Sequence, residues 1–111
     1  MPKKKWIKRF LPFWAHRHLR EREKFELLRA RDGDHCWFCG FKMRFGAPYN
    51  IGKAATIEHI QPLSKGGNWA IDNLALCHVG CNRHLADRSA EEKRQMRAAM
   101  VNRSCAGRAT A

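Results

Sequence analysis

The chain has 111 residues, 44% of them apolar, enough for one domain with tails and a modest core that a bound metal would help to hold. Its net charge is +12, from 22 Lys and Arg against 10 Asp and Glu, which favours a polyanionic partner, either nucleic acid or an anionic membrane surface. No apolar run approaches the roughly 20 residues of a spanning helix, no clean amphipathic basic helix favours a membrane, and the apolar patch at residues 10–15 is broken by Pro12 and too short for a signal-peptide core, so a cytosolic protein is expected.

Residues 1–18 carry Lys3, Lys4, Lys5, Lys8, Arg9 and Arg17 interleaved with Trp6, Phe10, Phe13 and Trp14, and no acid precedes Glu21. That pattern suits an arm that pairs with phosphates and stacks on bases, or aromatics that pack back on the domain. Residues 19–31 read as a helix with Leu19, Phe25, Leu27, Leu28 and Ala30 on one side and Glu21, Arg22, Glu23 and Lys24 on the other, stopped at Gly33. A cysteine knuckle and short hairpin are expected over 35–50, a strand over 54–60, and a polar loop over 61–73. A second strand is expected over 74–78, and a helix from about Cys81. Ser89 and Glu92 have capping-box spacing and predict a last helix through about Val101 with Met96, Ala99 and Met100 on one face, followed by a loose tail. The resulting division is an arm at 1–18, a domain at 19–103 and a tail at 104–111.

Five cysteines in a cytosolic chain argue for metal over disulfides, and an odd count strengthens the argument. Cys36 and Cys39 form one Cys-x2-Cys pair, and Cys81 belongs to a second. Two such short pairs close tight chelates around a tetrahedral zinc. Cys77 as the partner of Cys81 gives Cys-x3-Cys; His78 gives His-x2-Cys, which matches the first pair and is favoured. Neighbours in a strand point to opposite faces, so the other of the two becomes a small core residue if it is the cysteine. Cys105 has no partner that spacing suggests.

Between the two pairs lie Glu58 and His59, with Asn73 and Asn82 downstream. Oxygen donors beside an imidazole suit a hard divalent ion and a proton acceptor, the requirements of phosphodiester hydrolysis. Adjacent strand residues face opposite sides, so the backbone has to twist or end near this pair, as Pro62 suggests.

Residues 28–88, about half of the chain, resemble an HNH endonuclease through Cys-Trp-Phe-Cys-Gly, Ile-Glu-His-Ile-Gln-Pro-Leu-Ser-Lys-Gly-Gly and Asp-Asn-Leu-Ala-Leu-Cys-His-Val-Gly-Cys-Asn-Arg-His. The resemblance implies an α+β fold: a small zinc-stapled ββα-metal domain, treble-clef-like, with flanking helices. Matched by position, His59 is the general base, Glu58 the first ligand of a catalytic ion and Asn82 the second. Asn73 ties the loop to the strand, and Cys36, Cys39, His78 and Cys81 hold a structural zinc. His84 is placed to touch the scissile phosphate, or else is an exposed helix residue. Arg83, Arg88 and the N-terminal Lys3, Lys4, Lys5, Lys8 and Arg9 would meet flanking phosphates. Two positions depart from the family pattern: Glu58 stands where Asp or His is usual, and a histidine stands where the second zinc pair usually has a cysteine. The resemblance implies hydrolysis of double-stranded DNA to 5′-phosphate and 3′-hydroxyl ends with Mg²⁺, Mn²⁺ or another divalent ion. It also suggests a phage or mobile-element setting in which other phage or host proteins supply specificity. The alternative is a non-catalytic, zinc-dependent nucleic-acid-binding module.

Overall fold

The computed structural model describes residues 19–110, with side chains through Val101. The N-terminal arm, with Lys3, Lys4, Lys5, Lys8 and Arg9, lies outside the described residues, as does the side chain of Cys105. The order of elements is α1 (Glu21–Asp32), β1 (Ala55–His59), two 3-10 turns (Leu63–Lys65 and Ile71–Asn73), β2 (Leu74–His78), α2 (Val79–Leu85) and α3 (Ala90–Thr110).

β1 and β2 form one antiparallel pair, with Ala55 opposite His78, Glu58 opposite Ala75 and His59 opposite Leu74. All five residues of β2 are buried, because α1 packs on this strand while α2 packs across both. A two-stranded sheet covered on both faces loses the alternation of a half-exposed strand. That is why Ile57 and Glu58, consecutive in β1, are both buried. The core is built from Leu28, Leu74, Leu76, Cys77 and Leu85, each at most 1–2% exposed, with Phe38 and Met43 from the knuckle. Fold class, strand pairing and the helix that follows β2 agree with the α+β ββα expectation.

α1 ends where the sequence indicated: Gly33 adopts φ 84° and its N–H bonds the carbonyl of Arg29 at 2.8 Å. The polar side of α1 needs correction at one position, for Lys24 is 4% exposed rather than solvated. The hairpin expected over 35–50 reduces to two isolated bridges, His35 to Lys42 and Arg44 to Ala54. The chain turns back within a few residues to close the knuckle, with Cys36 N–H on the Phe41 carbonyl at 2.9 Å, so no ladder can grow. α2 begins at Val79, two residues earlier than expected. α3 runs to Thr110, past the Val101 end read from the sequence. Once a helix is nucleated each further residue adds a hydrogen bond at low cost, and residues 102–110 contain no proline to stop it. Its inward stripe is Lys93, buried, with Met96 and Met100 half-buried; Ala99, expected on that face, is exposed.

No helix among the described residues is long and apolar enough to cross a membrane.

Candidate metal centre and the acid–histidine strand

The donor atoms of Cys36, Cys39, His78 and Cys81 all lie within 4.8 Å of one another. His78 Nδ1 sits 3.2 Å from Cys39 Sγ and 3.7 Å from Cys81 Sγ. Zinc bond lengths of about 2.3 Å to sulfur and about 2.0 Å to nitrogen set tetrahedral edges of roughly 3.5–3.8 Å, close to this spacing. His78 Nε2 lies 2.9 Å from the Lys42 carbonyl, a partner that can only accept. The proton therefore belongs on Nε2 and the lone pair on Nδ1 faces the sulfurs, the orientation a zinc histidine needs. Backbone N–H groups of Phe38 and His78 each donate to Cys36 Sγ at 3.4 Å.

The thiols are poised for a cation. A hydrogen bond from the Cys77 thiol, reinforced by backbone N–H groups, holds Cys36 down at about 4 despite its burial. Burial first, and then the charge on Cys36, pushes Cys81 up; Cys39 is raised by the same two effects. Crowded sulfurs that cannot ionise together become able to do so when a divalent ion neutralises them. Three sulfurs and one imidazole fit zinc, and the set of four is the one favoured from spacing. Cys77 is fully buried in the core cluster and is no member of it. Strand geometry explains the choice, since Cys77 and His78 face opposite sides of β2.

About three residues along each strand lies the second set. Glu58 is 4% exposed, and Lys93 of α3 places its ammonium 3.4 Å from Glu58 Oε1. The same Nζ donates to the His59 carbonyl at 2.7 Å. Glu58 Oε2 and His59 Nε2 are buried and have no hydrogen-bond partner among the described residues. Buried polar atoms are rarely left so, and each marks a place where another group belongs. The His59 ring meets Trp69 edge-to-face at 4.3 Å between centroids, and the Trp69 carbonyl accepts from Lys24 Nζ at 2.8 Å. The two neighbours on β1 thus have separate surroundings, Glu58 against α3 and His59 against the loop and α1.

Electrostatics follows from this packing. Burial lifts the Glu58 carboxyl above its ordinary range, against the pull of Lys93. Burial, followed by the charge of Lys93, holds the His59 imidazole below an ordinary histidine, with Glu21 acting the other way. A neutral imidazole is the form that accepts a proton.

Asn73 pins the loop between the strands. Its Oδ1 accepts from Gln61 N–H at 2.9 Å, and its Nδ2 donates to the carbonyls of Gln61 at 3.0 Å and Asn68 at 2.9 Å. Gly67 packs against the same turn so closely that a Cβ would stand 1.8 Å from the Gln61 carbonyl oxygen, which accounts for glycine in the Gly-Gly step. Asn82 Nδ2 donates to the Ile57 carbonyl at 3.1 Å, which holds α2 against β1 beside Glu58 and leaves Oδ1 as the amide's electron-rich atom. His84 and Arg83 are exposed on α2, with the His84 ring 5.9 Å from Phe38. Arg88 donates to the carbonyls of His84 and Leu85 at the end of α2, so part of its guanidinium serves the helix terminus.

Sequence reasoning missed Lys93, Lys24, Trp69 and Gln61, whose Oε1 accepts the Ala90 N–H at the start of α3. For Lys93 a signal existed: it precedes Met96 and Met100 at the three- and seven-residue spacing of one helix face.

A family model described as HNH endonuclease matches residues 36–88. No curated protein and no solved structure matches the chain. The matched stretch holds both cysteine pairs, the whole β1–β2–α2 unit and the acid–histidine strand. Over residues 36–88, a little under half of its length, the chain is therefore similar to the HNH endonuclease family.

Proposed function

We propose that this chain is a metal-dependent endonuclease that hydrolyses phosphodiester bonds of double-stranded DNA, leaving 5′-phosphate and 3′-hydroxyl ends. The observation that carries this reading is the pair of unsatisfied buried atoms, Glu58 Oε2 and His59 Nε2, on one strand of a domain similar to the HNH endonuclease family. The HNH family supports a nuclease, and the +12 charge supports a nucleic-acid substrate.

In this reading His59, kept neutral by its burial, takes a proton from water as the oxygen attacks phosphorus. The bond to the 3′-oxygen breaks and that oxygen is protonated from solvent. Glu58 and Asn82 would hold one divalent ion, which when bound supplies positive charge to the phosphoryl and leaving oxygens. Asn73 keeps the strand end and loop in register, so that the imidazole is oriented before substrate arrives. His84 and Arg83, both exposed on α2, would meet the phosphate backbone, and Arg88 and the N-terminal Lys3, Lys4, Lys5, Lys8 and Arg9 would add positive charge for flanking phosphates. Zinc on Cys36, Cys39, His78 and Cys81 is structural, because four protein ligands leave no open position. Oxygen donors suit Mg²⁺, Mn²⁺ and related ions alike. A reducing cytosol keeps the four donors free for metal, and partner proteins would supply sequence specificity.

One observation favours the second reading, a zinc-dependent nucleic-acid-binding module without catalysis: Lys93 already faces the carboxylate assigned to the catalytic ion. Plasmid cleavage with a panel of divalent ions decides between them. The expected result is nicked or linear plasmid with at least one ion and none with His59→Ala. Wild-type protein that binds DNA and never cuts it establishes the binding module instead.

A further inference from the structure

Lys93 is fully buried, an unusual position for an ammonium group, and it lies outside the residues that match the family model. Its Nζ contacts two consecutive residues of β1: the His59 carbonyl at 2.7 Å and Glu58 Oε1 at 3.4 Å. The carboxylate is used unequally, with Oε1 on the ammonium and Oε2 buried and unpaired. An isolated buried cation and an isolated buried carboxylate are each costly, so the pair stands or falls together.

We infer that Lys93 is a positioning residue for the metal-binding acid: it clamps Glu58 Oε1 and the His59 carbonyl so that Oε2 is presented to a divalent ion. The inference rests on the nuclease reading for the use made of that ion. Carboxylates that ligate metals are themselves hydrogen-bonded, and this hydrogen bond comes from α3, an element the matched stretch does not contain. A lysine suits the task because a single ammonium can donate to a carboxylate and a carbonyl at once. One oxygen of Glu58 then remains for the ion, so the acid binds through Oε2 alone. On this view α3 belongs to the working unit, and its first turns set the acid and the base together.

The test uses the full-length, zinc-loaded chain without DNA and counts bound Mn²⁺ from the electron paramagnetic resonance signal of the free ion. Lys93→Met is expected to keep its zinc, to melt at a lower temperature, and to bind Mn²⁺ about ten- to a hundredfold more weakly. The double variant Glu58→Gln with Lys93→Met should melt above Lys93→Met alone, because no unpaired carboxylate remains buried, and should not regain Mn²⁺ binding. If Lys93→Met does not fold, the double variant must, and its failure to fold overturns the inference. Equal or tighter Mn²⁺ binding by zinc-loaded Lys93→Met also overturns it, as does wild-type protein that binds no Mn²⁺. Wild-type protein that binds Mn²⁺ and cuts no plasmid defeats the nuclease reading and leaves the clamp standing.

Discussion

The two ends of the β1–β2–α2 unit are built from different materials. At the knuckle end, four ligands come from two short stretches, and each stretch sets its own geometry: Cys36 and Cys39 in one turn, His78 and Cys81 across the start of α2. At the acid–histidine end, Glu58 and His59 are neighbours in sequence, yet their surroundings come from everywhere else. Lys93 comes from α3, Trp69 from the loop, Lys24 from α1 and Asn82 from α2. A closed site of four soft ligands is complete in itself, whereas a site that must keep an open position depends on distant residues to shape it. Substitutions at the first end should therefore remove the fold, whereas loss of the half-buried His59 at the second should remove chemistry while the fold survives.

The largest effect is expected at the knuckle. Cys36→Ala deletes a ligand that is buried in the core as well, and zinc binding in a domain this small is folding energy. The protein should lose its zinc and its cooperative thermal transition; a well-folded, zinc-free variant would break the comparison at its first step. His78→Ala should likewise release zinc, whereas Cys77→Ala should keep it, and metal analysis of the pair reads the difference directly. Loss of zinc from Cys77→Ala alone would move the fourth ligand to the core side of β2.

Next comes His59→Ala, for which plasmid cleavage should fall by about 10²–10⁴ while zinc content and DNA binding hold. Glu58→Gln and Asn82→Ala should also lose activity, but through weaker ion binding, so raised metal concentration should restore part of it. The same concentration series should do nothing for His59→Ala. Parallel rescue of all three would mean that His59 serves the ion rather than the proton.

The pH dependence sharpens the same point. Burial and Lys93 depress the imidazole, so His59 stays neutral to lower pH than an ordinary histidine of about 6.5. The acid limb of kcat/KM, which reports the free enzyme, should have its midpoint below that value. The sign for stability agrees: a depressed histidine costs nothing above the unfolded pKa, and destabilises the fold as pH drops below it, because the unfolded chain binds the proton more readily. A midpoint above 6.5 would place His59 beside a carboxylate in the working protein and contradict the packing described here.

The smallest effect concerns a region outside both ends. Deleting residues 2–9 removes Lys3, Lys4, Lys5, Lys8 and Arg9. Each lost phosphate contact should flatten the slope of log K against log salt by about 0.9. An unchanged slope would show that the arm does not meet the phosphates, and cleavage per bound complex should stay the same either way.

Why one end was legible and the other only half so has a physical reason. Chelate spacing is local: Cys-x2-Cys and His-x2-Cys say almost everything about a tetrahedral site, and strand alternation separates Cys77 from His78. β2 could be read at its exact bounds for a similar reason, because an apolar run ending in a metal ligand leaves little choice. The hairpin over 35–50 could not, since whether two bridges extend into a ladder depends on what packs beside them. Lys24 is a long polar residue on a helix, and nothing local distinguishes it from a solvated lysine, whereas Lys93 at least shares a helix face with Met96 and Met100.

The sequence by itself marked out the candidate metal ligands, with His78 favoured over Cys77, the ββα order, the acid–histidine pair and a charge that favours an anionic partner, all of which rest on spacing, periodicity and charge. Only the tertiary structure decided what surrounds that pair. A sheet covered on both faces buried Glu58 and left His59 half-buried beside it, and a carboxylate in that position requires a cation brought from elsewhere in the chain. That cation is Lys93, and only the tertiary structure brings its Nζ from α3 to Glu58 and to the His59 carbonyl.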